Sequence, residues 1–352
     1  MLSVNRRLSG MIAILLASVF AGGALAQPAS AQSTAEKFFT GRQVDFIVGS
    51  RAGGGYAIYA TLLSRYFGQH LPGKPHVVAR NMDGAGSLIA ANYLYSKAPK
   101  DGSTFGALFM GAIMDPLIGE EAQARFDPRK FSFVGSANKE TSICVAWHTS
   151  DIKTFEDMFS KELIIGTSGI TSSIRQYPTV LNNVLGTKFK LITGYPGSQD
   201  AALAMERGET QGLCGIQWSS FITNYPRWLD NNQVRILAQL SSPEGDPELN
   251  RRGVPNMWAS VKNDADRRVL SVIFSQLEFG RPYVLPPGVP ADIIAAYRAA
   301  FDASMKDPEL LAEAKKLQLD IDAVSGERVQ KLVEEIYATP KEDIEKAKAA
   351  LK

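Results

Sequence analysis

The chain has 352 residues, 45% hydrophobic and 21% charged, enough apolar material for a sizeable core and a length that suits one large or two medium domains. Its 38 basic residues against 36 acidic ones give a net charge of only +2. With no basic run or face, that balance argues against nucleic acid as a partner.

The N-terminus reads as an export signal. Arg6 and Arg7 precede the apolar stretch 11–20, MIAILLASVF, and Ala24-Leu25-Ala26 forms a small-x-small cleavage site, with Ala29-Ser30-Ala31 as a second choice. The apolar run is too short to span a bilayer comfortably, and no cysteine lies nearby to carry a lipid. Residues 1–26 are therefore expected to be cleaved, leaving a soluble periplasmic protein. Their loss removes two of the basic residues and no acidic one, so the mature chain is formally neutral. Residues 27–40 read as a tether.

A strand is expected over 44–49, followed by the glycine turn Ser50-Arg51-Ala52-Gly53-Gly54-Gly55 and a helix. In that helix Ile58, Leu62 and Tyr66 form one row and Tyr59, Leu63 and Phe67 the next, the spacing of a buried face. A second unit repeats the rhythm, with a strand over 75–80, a turn through Gly84-Ala85-Gly86-Ser87, and a helix over 88–97. A third strand runs from Thr104 to Met110, and residues 112–130 read as irregular. Residues 131–148 read as one long extended segment.

The second half repeats the pattern. Thr154 caps a short helix with Glu156 and Asp157 in its first turn. The strand 163–167 leads into Ser168-Gly169-Ile170-Thr171-Ser172-Ser173 and a helix over 174–185. The strand 189–193 ends at Gly194-Tyr195-Pro196-Gly197-Ser198, before a helix over 199–207. The strand 211–216 leads through Gln217-Trp218 into another helix, and 234–240 is a last strand. Beyond it a strand over 276–285 and a helix over 291–305 are expected. Asp307-Pro308 reads as a helix start, and Thr339 to Glu342 as a capping box. Strands alternating with helices make a parallel α/β architecture. Its turns gather at one sheet edge, and two such halves would face each other across a cleft.

A strand feeding a glycine turn and a helix N-terminus suits an anion: glycine lets the backbone approach, and the first helical N–H groups have no partner within the helix. Both turns lack the third glycine of a dinucleotide fingerprint, and no phosphate-loop lysine follows. His70, His76 and His148 are scattered, and no metal-ligand or nucleophile-elbow pattern is present, so neither metal, cofactor nor catalytic residue is expected. Ser150 to Lys153 fits S-x-x-K, a pattern that short motifs produce by chance. The candidate ligand-binding residues are Ser50, Arg51, Gly53, Gly54, Gly55, Tyr56 and Ala57 in the first unit, and Gly84, Ala85, Gly86, Ser87 and Met110 after it. Thr167, Ser168, Thr171, Ser172, Ser173, Tyr195, Gly197, Gln217 and Trp218 are the candidates in the second half. The hydroxyls could donate to a carboxylate, Arg51 could clamp one, and the aromatic residues could wall the pocket. Cys144 and Cys214 both lie in apolar, strand-like segments, where a disulfide and two buried thiols are equally open readings.

Five stretches together resemble the extracytoplasmic solute receptors of tripartite tricarboxylate transporters, the Bug family. They are VDFIVGSRAGGGYAIYATLLSRYFGQHLPG, NMDGAGSLIAANYLYSKAPKDGSTFGALF, LIIGTSGITSS, TGYPGSQDAALAMERGETQG and the PPGVP region at 286–290. The resemblance implies a two-domain periplasmic-binding-protein type 2 fold with the ligand cleft between domains. The first domain would span 36–143, the second 144–240, and 241–352 would rejoin the first. It further implies a monomeric receptor that takes a small organic acid and delivers it to integral membrane permease subunits. Two positions depart from the family pattern: Ala57 stands where an acid usually follows the turn, and Gln217 where many relatives carry one. The alternatives are an exported α/β hydrolase acting on a carboxylate or ester, and a receptor that feeds a sensor protein.

Overall fold

Residues 33–119, 123–170 and 172–352 are described by a computed structural model; the expected signal peptide, residues 27–32 and Thr171 lie outside them. Helix α1 (Thr34–Phe39) takes the place of the expected tether's end, because Phe39 is fully buried and packs edge-on against Tyr297.

The chain then builds β1 (Gln43–Val48), α2 (Gly55–His70), β2 (His76–Asn81), α3 (Leu88–Ser96), β3 (Thr104–Ala107), α4 (Met110–Ile118) and β4 (Ser132–Ser136). It crosses to β5 (Ser142–Trp147) and continues through β6 (Leu163–Gly166), α5 (Ser173–Val180), β7 (Phe189–Ile192) and α6 (Ser198–Glu206). After these come β8 (Gly212–Gln217), α7 (Trp218–Asn224), α8 (Pro226–Asp230) and β9 (Val234–Leu240). The remainder is α9 (Pro247–Arg251), α10 (Asp264–Phe274), β10 (Pro282–Leu285), α11 (Ala291–Ser304), α12 (Pro308–Lys316), β11 (Val324–Ser325), α13 (Gly326–Tyr337) and α14 (Lys341–Ala350).

Two sheets result, ordered β11-β4-β10-β3-β1-β2 and β7-β6-β8-β5-β9. Each holds a parallel trio, β2-β1-β3 and β7-β6-β8, beside an antiparallel strand from the far side of a crossing: β10 in the first sheet and β5 in the second. The sheets are therefore mixed, not parallel throughout. The expected single segment over 131–148 divides into β4 and β5, one in each sheet, and the expected strand over 276–285 is a 3-10 turn followed by the shorter β10.

Other local expectations change for packing reasons. The expected third strand ends at Ala107, and the region expected to be irregular begins with α4, whose Met110, Gly111, Ala112, Ile113 and Met114 are all buried. A helix with no polar face carries no amphipathic period to read. The expected helix over 174–185 is α5 followed by one π turn. Pro340, not Thr339, caps α14, and no side-chain capping bond forms there. Asp307 does cap α12, accepting the Glu309 and Leu310 amides. In α2 the Tyr59, Leu63 and Phe67 row is buried, while Ile58 and Tyr66 are half-buried. One apolar core joins Phe46, Phe67, Phe105 and Tyr297 under α2 and α11; another runs from α3 and α4 into β5, β6 and β8 through α10 and α14. Cys144 and Cys214 oppose each other on β5 and β8 and are joined as a disulfide.

Candidate functional site

Strands β1 and β2 are parallel neighbours, so both glycine turns leave the first sheet at the same edge. They are tied together there: Asn81 Nδ2 donates to the Ser50 carbonyl at 2.7 Å, and Arg51 Nε to Asp83 at 3.2 Å. Gly54 is the extended residue before α2, whose first intrahelical bond runs from the Ile58 amide to the Gly54 carbonyl. The Gly55, Tyr56 and Ala57 amides precede that bond, and no acidic side chain stands in the first turn to compete for them.

The second turn is more strained. Gly84, Ala85, Gly86 and Ser87 all have positive φ, at 127°, 44°, 60° and 80°. Two of them are not glycine, an arrangement that persists only when surrounding contacts over-determine it. Buried Ser87 supplies one such contact by accepting the Phe109 N–H at 3.2 Å, and its hydroxyl sits where Gly49 has no Cβ. Phe109 leads into α4, so a third helix start joins the edge. There Tyr56 OH accepts the Met110 N–H at 3.3 Å, and the Tyr56 ring lies 4.3 Å from that of Phe109.

The second sheet presents a matching edge. Thr167 is buried and its hydroxyl donates to the Ile192 carbonyl. Ser168 donates to Ser172 at 2.8 Å, and Ser172 is the extended residue before α5. Gln217 Nε2 donates to Ser173 Oγ at 2.9 Å. Tyr195 lies along Gly166, and Gly197 is the extended residue before α6. The indole of Trp218 is buried in a core with Phe221 and Trp228, while its amide donates to the Thr141 carbonyl. Arg51 is exposed, 72% accessible at its side chain, and its charge is met by Asp83.

The two edges touch where candidate residues of the first turn meet partners the sequence did not single out, Gln199, Arg281 and Glu140. Gln199, at the start of α6, donates to the Gly53 carbonyl at 3.1 Å. Beneath the turns lies a buried pair, Arg281 Nη2 to Glu140 at 3.0 Å, with both side chains no more than 2% exposed. Arg281 also donates to Ser219 and Ser220 at the start of α7, at 2.9 and 3.2 Å, and its guanidinium lies 4.2 Å from the centre of the Tyr56 ring. Burial is the largest influence on that guanidinium and works against its charge, but Glu140 and the phenols of Tyr56, Tyr59 and Tyr283 together outweigh it. The Tyr56 phenol is pushed up by its burial, so it stays neutral. The two crossing segments run side by side here, bonded from Ala137 to Arg281, Gly280 to Asn138 and Glu140 to Leu277. Around them Ser50 Oγ, Asn138 Oδ1, Ser142 Oγ, Arg281 Nε and the hydroxyls of Tyr177 and Tyr283 are buried with no protein partner among the described residues. Such atoms are normally satisfied by water or a ligand. Glu140 stands next to Lys139 in a polar stretch of the expected extended segment, and nothing local marked it for burial.

Catalytic arrangements do not gather at this edge among the described residues. His70 pairs with Asp307 on α12, and Ser150 Oγ accepts the Ile152 amide in a tight turn.

Two mixed α/β sheets joined by two crossing segments, with helix starts facing each other, make the two-domain fold of the periplasmic binding proteins. Among solved structures, the chain is similar to the periplasmic binding protein BugD, with a TM-score of 0.67, 19% identity, and 89% of this chain and 98% of that one covered. It is similar to Rpa4515 from R. palustris with adipate, at TM-score 0.67 and 18% identity over 88% of this chain and 98% of that one. For MatC from Rhodopseudomonas palustris with bound malate the TM-score is 0.65 and the identity 19%, over 89% of this chain and 100% of that one. No protein-family model matches the sequence, and neither does any curated relative.

Proposed function

We propose that the protein is an extracytoplasmic receptor of the tripartite tricarboxylate type, binding a small organic acid between its two domains. The observation that carries this reading is the meeting of the α2, α3 and α4 starts at one edge, facing those of α5, α6 and α7. The first-lobe amides suit a carboxylate, and the Ser168, Ser172 and Ser173 hydroxyls with Gln217 offer the far end a hydrogen-bonding surface. The shared fold of proteins solved with malate and with adipate supports the same ligand class. We place the first domain at 36–141 with the C-terminal part from α10 onward, and the second from Ser142 through α9, rather than turning at 143 and 240, because β5 begins at Ser142 and Leu249 and Val254 pack with Ile143 and Leu213. The site residues are the two turns with Met110 and, opposite them, Thr167, Ser168, Ser172, Ser173, Tyr195, Gly197 and Gln217; Thr171 lies outside the described residues. Trp218 belongs to the supporting core.

Binding closes the cleft if the ligand favours the closed state over the open one. The closed form would then hand its cargo to the integral membrane permease, from a periplasmic monomer released by signal cleavage, with no bond made or broken. A thermal-shift screen of the mature protein against malate, adipate, citrate and benzoate tests this. A ligand at 100 times its Kd stabilises by about 2.7 kcal/mol, and at least one of these acids is expected to raise the melting temperature. Ester turnover without any such shift would sink the reading.

A further inference from the structure

We infer that Arg281 is a positioning residue that ties the ligand-binding turn to the opposite lobe, an inference that rests on the receptor reading above. Its guanidinium makes contacts in three directions. Over the Tyr56 ring, at 4.2 Å, it fixes the side chain whose hydroxyl holds the Met110 amide. Through that tyrosine it sets α2 against α4, the two helix starts that flank the site. Toward the second lobe it reaches Ser219 and Ser220 in the first turn of α7. Between them Glu140, on the crossing segment, accepts from Arg281, from Ser219 Oγ at 2.7 Å and from the Thr141 amide.

Two neighbouring contacts report the same junction independently. A Cβ at Gly55 would collide with Ser220 Oγ and lie 3.5 Å from Arg281 Nη2, so the first turns of α2 and α7 touch at residue 55, where a side chain would turn the Ser220 hydroxyl away from Arg281. Gln199 bridges to the Gly53 carbonyl two residues earlier. The turn that takes the carboxylate is therefore also the turn that the second lobe grips. Lysine in place of Arg281 keeps the charge beside Glu140 but loses the planar face over Tyr56 and the reach to two serines at once.

The test uses the full mature protein with spin labels at Ile89→Cys and Leu203→Cys, exposed positions on the two lobes. Label distances are measured without ligand and with malate or adipate, and affinities by calorimetry. Arg281→Lys is expected to lengthen and broaden the ligand-free distance distribution and to weaken binding at least tenfold. Ser220→Ala, which removes one of the bonds that Arg281 donates, should do the same more weakly and add little in the Arg281→Lys background, a non-additivity that loss of general stability would not produce. Unchanged distances in both Arg281→Lys and Ser220→Ala, or full additivity of the two, would overturn the inference. If the unsubstituted protein binds neither acid, the receptor reading loses its support, while the ligand-free distances still decide the role of Arg281.

Discussion

Ser87 serves two ends. Its backbone takes a left-handed conformation that costs a non-glycine residue about 1–2 kcal/mol, and its buried hydroxyl accepts the Phe109 amide at the start of α4. Ser87→Ala should destabilise by roughly 1–3 kcal/mol, read as a lower urea midpoint with an unchanged slope. Gly54 and Gly86 separate binding from folding. Gly54 has a φ of −72° and only the Arg51 carbonyl, at 3.4 Å, near a would-be Cβ. Gly54→Leu should therefore fold normally yet block the α2 start, abolishing any thermal shift by malate or adipate. Gly86, at a φ of 60°, cannot be replaced so freely. Gly86→Val should lose the same shift and also melt earlier. Equal affinity in both variants would move the site elsewhere.

At the scale of elements, the short helix expected after Thr154 is a 3-10 turn (Glu156–Phe159) whose cap residue is Phe155, yet Thr154 still bonds into it. The Thr154 hydroxyl accepts the Asp157 amide, while the Asp157 carboxylate accepts the Lys153 and Thr154 amides and meets Lys161. Lys161 and the two amides hold the Asp157 carboxyl down at about 2. A depressed carboxylate stabilises the fold above its unfolded value near 4 and loses that contribution as pH falls toward 2. Asp157→Asn should therefore lower the melting temperature at pH 6, and the difference should shrink steadily below pH 4 and close only below pH 2, as followed by circular dichroism. A constant difference across that range would refute the assignment. Helix α4 shows the opposite case, since burial of its whole run from Met110 to Asp115 removed the period by which a helix is recognised.

At the scale of the molecule, the Cys144–Cys214 bridge joins β5 to β8 across 70 residues of chain, at the heart of the second sheet. Closing a loop of that size stabilises by roughly 2–4 kcal/mol. Reduction under partly denaturing conditions should lower the melting temperature, and Cys144→Ser with Cys214→Ser should reproduce the effect; no change in either would remove the bridge from the ledger of stability. The disulfide was one of two open readings until the antiparallel register set the two residues opposite each other.

What the sequence determined by itself is the succession of strand, turn and helix, the glycine turns at 53–55 and 84–86, and the hydroxyl-rich start of α5. Each depends on residues within a few positions, where backbone conformation and periodicity speak directly. Tertiary structure alone decided that both sheets are mixed, because β10 and β5 enter each sheet from across a crossing. It also brought Arg281 to Ser136, 145 residues away, and set its guanidinium between Tyr56, Glu140 and α7. A buried ion pair has no local signature: its members stand in segments whose neighbours are chosen by the path of the whole chain, and only the fold places their charges where each can meet the other.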